Sequence, residues 1–116
     1  MSLASAEDGM ASGKDYFEFI MDQLSALDGI TARPMMGEYI IYFRGKIIGG
    51  IYDDRFLVKN VPSAREMMPD AELALPYEGA KEMLLVDNVD NPAFLQELVL
   101  KMYGELPAKK PGKSKL

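Results

Sequence analysis

The 116 residues suit one domain, and 48% hydrophobic with 27% charged residues is enough for a real core and excludes disorder throughout. The sequence has no Cys and no His, which excludes disulfides, thiolate and imidazole metal sites and every Ser-His-Asp or Cys-His catalytic arrangement. The net charge of -5 is uneven: Lys109, Lys110, Lys113 and Lys115 fall in the last ten residues, and the preceding 106 carry a net of -9. So acidic a body repels phosphate backbones, and direct nucleic-acid reading is not expected.

No apolar run approaches the length of a membrane span, and with no secretory signal pattern the cytoplasm is the expected compartment. Residues 1–13 are mostly small or polar; Met1-Ser2-Leu3 reads as a leader, and the segment is set aside from the fold. The expected domain is 14–104. Residues 105–116 read as a basic, disordered tail, since Pro, Gly, Ser and Lys cannot build a core.

The first predicted element is a helix from Lys14 to Leu27, with Ser12 as its cap. Tyr16, Phe17, Ile20, Leu24 and Leu27 recur on one face at helical spacing, and Phe19 and Met21 flank that stripe. Gly29 suits a left-handed stop. The period then falls to two. Ile30–Met36 reads as a strand, placed at an edge by Pro34. Gly37 marks a tight bend or bulge. Tyr39–Phe43 is a β-prone run, Arg44-Gly45-Lys46 a hairpin connection, Ile47–Tyr52 a strand weakened by Gly49 and Gly50, Asp53-Asp54 a turn and Arg55–Lys59 the returning strand. Connections this short force an antiparallel meander.

Pro62–Met68 predicts a short helix entered at Asn60 or Val61 and closed before Pro69. Leu73–Tyr77 has no decisive period. Met83–Val86 is a compact apolar strand. Asn91-Pro92 is a cap followed by proline at the first helical position, opening a helix to Tyr103 that Gly104 ends. The whole is α+β: two layers, with an antiparallel sheet of about five strands and helices packed on it.

The chemistry-bearing clusters are few. Asp53-Asp54 could offer oxygens to a divalent cation, but a hairpin turn explains the pair better. Asp87–Asn91 lacks the Gly and the distant Glu of a calcium loop and reads as a connector. The glycines 45, 49 and 50 lie between β-prone residues, so they serve turns and bulges and do not cradle phosphate. Met83 and Met102 read as core. Of Met35 and Met36, alternation places only one inward. No catalytic residue, cofactor or metal is indicated.

Thr31-Ala32-Arg33-Pro34-Met35-Met36-Gly37-Glu38-Tyr39, then Tyr42, Gly45 and Asp53-Asp54-Arg55-Phe56-Leu57-Val58-Lys59, resemble the N-terminal domain of TfoX, also called Sxy. That family typically reads Arg-x-Met-Phe-Gly, a Tyr-containing strand, a Gly turn and a strand ending in Lys. The leading helix, Pro76-Tyr77-Glu78 and Met83 also fit, and the resemblance spans roughly residues 14–104. Met36 stands where the family usually has Phe. Full-length competence regulators carry a further C-terminal domain, which these residues do not include.

The resemblance implies a small α+β fold with no catalytic residues and no cofactor. It also implies a regulatory role beside a transcription activator of the cyclic-AMP receptor type. The expectation is a non-enzymatic, protein-binding regulatory module, with Arg33, Met36 and Lys59 as partner-binding residues. Arg33 would make a directional charged contact and Met36 an adaptable apolar one. A homodimer is a further expectation, because exposed sheet edges invite pairing. Two other readings stay open. One is a small-ligand or ion-binding domain with Tyr39, Tyr42 and Tyr52 lining a concave sheet face. The other is a carboxylate enzyme using Asp53 or Asp54 with a metal.

Overall fold

A computed structural model describes residues 13–107. Ser12, the leader 1–12 and the four tail lysines lie outside the described residues. Helix α1 (Lys14–Gln23) leads into a meander of β1 (Ile30–Met35), β2 (Glu38–Phe43), β3 (Lys46–Ile51) and β4 (Phe56–Val58). Helix α2 (Pro62–Met67), the short strands β5 (Leu73–Ala74) and β6 (Met83–Leu85), and helix α3 (Pro92–Tyr103) complete the fold. The sheet has six strands in the order β1-β2-β3-β4-β6-β5, and every pair is antiparallel. The strand beyond the expected five is β5, two residues from the segment whose period was undecided.

Three consecutive hairpins share one device. Met36-Gly37, Arg44-Gly45 and Asp53-Asp54 each place both central residues at positive φ. Two-residue turns of this hand match the twist of the flanking strands, which is why the meander closes so tightly. Gly suits that region without cost, whereas Met36, Arg44 and the two aspartates occupy it against the steric preference of a side chain.

All three helices pack on one face of the sheet. Ile20 of α1 and Leu24 just past its end, Ala64 of α2, and Leu95, Leu98, Val99 and Met102 of α3 meet Ile41, Phe43, Ile48, Ile51, Phe56, Val58 and Leu84. Burying each large apolar side chain contributes about 1.5–3 kcal/mol, so this layer carries the stability. Leu106 is also buried, so the packed chain continues two residues past Gly104.

Helix α1 ends at Gln23, four residues before the expected Leu27. The Ser25 hydroxyl donates to the Asp22 carbonyl at 2.7 Å, and the Gln96 amide donates to the Gln23 carbonyl at 3.2 Å. Those oxygens are thereby engaged by side chains, and the chain tightens into turns in which Ser25 and Leu27 donate three residues back. Leu24 stays buried and Leu27 half-buried, so the apolar stripe outlasts the helix.

The other helix ends find partners as well. Asn91 Oδ1 accepts from the Phe94 amide at 3.1 Å, with Pro92 at the first turn, as the sequence predicts. Helix α2 has Val61 at its N-cap, which has no side-chain acceptor to offer. Glu105 substitutes, accepting from the Ser63 amide at 2.8 Å and the Ser63 hydroxyl at 2.6 Å. At the far end of α3, Lys46 Nζ donates to the Tyr103 carbonyl at 3.0 Å and lies 4.1 Å from the centre of its ring.

Candidate functional site

An antiparallel sheet with helices on one face commonly shows polar residues on the other. Here the second face is largely apolar. Alternation along β2 turns Tyr39, Ile41 and Phe43 toward the helices and Glu38, Ile40 and Tyr42 away from them. Across the strand pair, Arg33 opposes Ile40 and Met35 opposes Glu38, so both β1 residues share that outer face.

A bulge then changes the parity. Ile41 pairs with Gly49 but Tyr42 pairs with Ile47, leaving Ile48 as the extra residue. Ile48 turns into the core and Ile47 joins Tyr42 outside. The Lys59 amide donates to the Ile48 carbonyl at 2.9 Å, which carries the β3–β4 pairing one step past Val58.

Close packing after the bulge requires glycine. A Cβ on Gly49 would stand 2.0 Å from the Leu57 carbonyl oxygen. One on Gly50 would meet the Tyr39 carbonyl at 2.5 Å and the Tyr52 ring at 2.8 Å. The Tyr52 ring therefore lies over Gly50 on the outer face.

One side of this face has a wall. Arg55 Nη2 donates to the Leu75 carbonyl at 3.2 Å and its Nε to the Tyr52 carbonyl at 3.2 Å, tying the segment after β5 to the β3–β4 turn. Tyr77 from that segment leans on Tyr52 with ring centres 6.5 Å apart. The result is an open groove of about 880 Å³. Ile40, Tyr42, Ile47 and Met83 lie along it, with Met35 and Met36 on one side and residues 76–82 on the other. Its charged lining consists of Lys59, Lys81, Glu38 and Glu82. Burial pushes the Tyr52 phenol up from its ordinary value, and the neighbouring Tyr77, Glu38 and Tyr42 add to the shift.

Met36 and Lys59 both line this groove. Arg33 is exposed on edge strand β1, on the same face but outside the lining. Tyr42 and Tyr52 face the groove, whereas Tyr39 does not: it stacks on Phe17 on the helix side with ring centres 4.0 Å apart. Met102 is core, but Met83 is half-buried in the groove. Neither Met35 nor Met36 turns inward; they are 53% and 95% exposed, because both sit at or in the turn on the outer side.

Ile40, Ile47 and Lys81 carry no signal in the sequence analysis, and Tyr77 enters there only with the family resemblance. The alternation of β2 could have supplied Ile40, but Ile47 depends on the bulge and Tyr77 and Lys81 on a folded-back wall.

The acidic pair is accounted for by the turn. Tyr52 and Arg55 exchange backbone hydrogen bonds of 2.9 and 3.1 Å around Asp53-Asp54. The Asp53 amide donates to Glu38 Oε1 at 3.0 Å. Among the described residues no group of three or more acidic, His or Cys side chains could hold a metal ion. Nor, among them, is any helix long and apolar enough to cross a membrane.

The family model of the TfoX N-terminal domain matches residues 22–106, which takes in the whole sheet, α2, α3 and the groove. The chain belongs to the TfoX N-terminal domain family. This is not a known enzyme family. The chain is also similar to an uncharacterised 12.7 kDa protein in the trpE 5′ region of Spirochaeta aurantia, at 35% identity over 108 residues. That alignment covers 91% of this chain and 93% of the relative. No solved structure matches the chain.

Proposed function

We propose that this TfoX N-terminal domain is a non-enzymatic, cytoplasmic regulatory module that docks a protein partner in the groove of its outer sheet face and so modulates transcription. The observation that carries the reading is the apolar groove itself. Ile40, Tyr42 and Ile47 stand where a solvated face would carry polar residues, and Met36 projects beside them. Tyr and Met are suited to such surfaces, the one rigid and amphipathic, the other adaptable. Arg33 and Lys59 add charged contacts at the rim and within the groove. A transcription activator of the cyclic-AMP receptor type is the proposed partner, on the strength of the family.

The test is capture of that activator from nuclease-treated extract of the native host, using the full chain, Ile47→Glu and Lys59→Glu. The wild type retains the activator and both variants lose it. Retention by both variants, with the fold intact by circular dichroism, sinks the reading.

The groove's volume of about 880 Å³ favours a second reading, a small-molecule site, since ligand pockets occupy roughly 300–1,000 Å³. A metabolite that raises the melting temperature of the wild type but not of Ile47→Glu would establish it; no shift at saturating concentrations would remove it.

A further inference from the structure

We propose that two copies of the chain pair face to face through this groove, the Met36 side chain of each seated in the groove of the other. The proposal goes beyond the protein-docking reading: a second copy occupies the groove when the activator does not.

Met36 is the first reason. It lies in a two-residue turn at φ 54° and is 95% exposed. Both facts are costly locally. The left-handed region favours Gly, Asn or Asp, and a long apolar side chain gains nothing in water. Within the described chain no packing repays either cost. A groove with an apolar floor in a second molecule would.

Charge is the second reason. A body with a net of -9 repels its own copies over most of its surface. The groove is an exception: Lys59 and Lys81 match Glu38 and Glu82 in number. A patch that meets its own image across a two-fold axis needs both signs in balance, so that cations of one copy face carboxylates of the other. A strongly acidic or basic partner would be better served by one sign.

Shape is the third. The Met36 knob and the Ile40, Tyr42 and Ile47 floor lie on the same face, so one rotation seats both knobs together. The contact then closes as a dimer and does not propagate. Two sheets packed in this way stand about 10 Å apart, the spacing of ordinary sheet-on-sheet packing.

Sedimentation equilibrium on the full chain tests the idea, from about 1 to 200 µM, a range that brackets micromolar affinity. The wild type dimerises. Met36→Asp is monomeric, and Met36→Gly, which relaxes the turn while removing the knob, dimerises roughly tenfold more weakly or less. In a charge exchange, Lys59→Glu/Lys81→Glu and Glu82→Lys each self-associate poorly, and mixing them restores a heterodimer. A wild-type monomer at the highest concentration overturns the proposal, as does a dimer indifferent to both Met36 variants. A monomer whose groove variants still lose the activator would refute the dimer and leave the docking function standing.

Discussion

The amide of Gly13 donates to Asp54 Oδ1 at 2.6 Å, joining the start of α1 to the β3–β4 turn 41 residues later. Gly13 offers no side chain to cap its own helix. A carboxylate from the sheet supplies both the acceptor and a negative charge at the positive end of the helix dipole. The same residue holds a left-handed turn position, at φ 57°.

The two duties of Asp54 can be separated. Asp54→Gly keeps the turn and loses the acceptor, with an expected cost of about 1 kcal/mol. Asp54→Ala loses the acceptor and also places a Cβ in the left-handed region, adding about 1 kcal/mol more. Urea unfolding of both variants measures the difference. Equal stabilities would show that the turn stores no strain.

Gly49 and Gly45 form a contrasting pair. Gly49→Ala drives a Cβ against the Leu57 carbonyl, a backbone atom that cannot swing aside, and should cost about 3 kcal/mol or more. Gly45 sits at φ 86° with nothing within 4 Å of the added atom, so Gly45→Ala should cost only about 1 kcal/mol of backbone strain. Equal midpoints in guanidinium would contradict the close approach of β3 and β4.

Arg55 holds the wall of the groove from one side only. Arg55→Met keeps the stem and removes the hydrogen bonds to Tyr52 and Leu75, costing about 1 kcal/mol of global stability. The local effect should exceed the global one. Hydrogen exchange should accelerate over residues 75–82 while the amides of β2 and β3 stay protected. Uniform acceleration along the sheet would mean that the wall is not a separate unit.

The pH profile has an acid and an alkaline limb. Hydrogen bonds from the Ser63 side chain and amide hold the Glu105 carboxyl below its ordinary 4.5, with Arg65 assisting. A lowered folded value means that the contribution is complete above 4.5 and is lost as the pH falls through the depressed value. Glu105→Gln should therefore flatten part of the acid limb. Burial, with a smaller push from Asp54, raises the Tyr16 phenol above 10.0 despite a hydrogen bond with the Phe56 backbone. Its contribution is complete below pH 10 and declines as the pH rises through the elevated value. Tyr16→Phe should lessen that decline. Urea midpoints from pH 3 to 11 read both limbs, and superimposable curves for wild type and variants would refute the assignments.

Local signals carried most of the architecture. Asn91-Pro92 marks the start of α3 because cap and proline act on the first turn alone. Arg44-Gly45 marks its hairpin for the same reason, since a two-residue turn depends only on its own dihedral angles. The early end of α1 was not legible, because Gln96 reaches Gln23 across 73 residues. β5 was equally hidden: its two residues are strand only because β6 lies beside them.

The candidate site divides along the same line. Met36 and Lys59 were picked out by motif, and the fold lines one groove with both. Their neighbour Ile47 lies outside that motif, and Tyr77 reaches the groove only because the segment after β5 folds back. A one-residue bulge exchanges the faces of Ile47 and Ile48, and two adjacent isoleucines cannot announce which will turn outward.

By itself the sequence determined the class of fold, the family and the absence of thiol and imidazole chemistry. These follow from composition, period and short motifs, each of which acts over a few residues. The tertiary structure alone decided which face of the sheet stays open, which tyrosines reach it and how the Asp54, Glu105 and Gln96 side chains complete helices distant in the chain. Those outcomes depend on strand register and on contacts between remote segments, where a shift of one residue reverses every side chain beyond it.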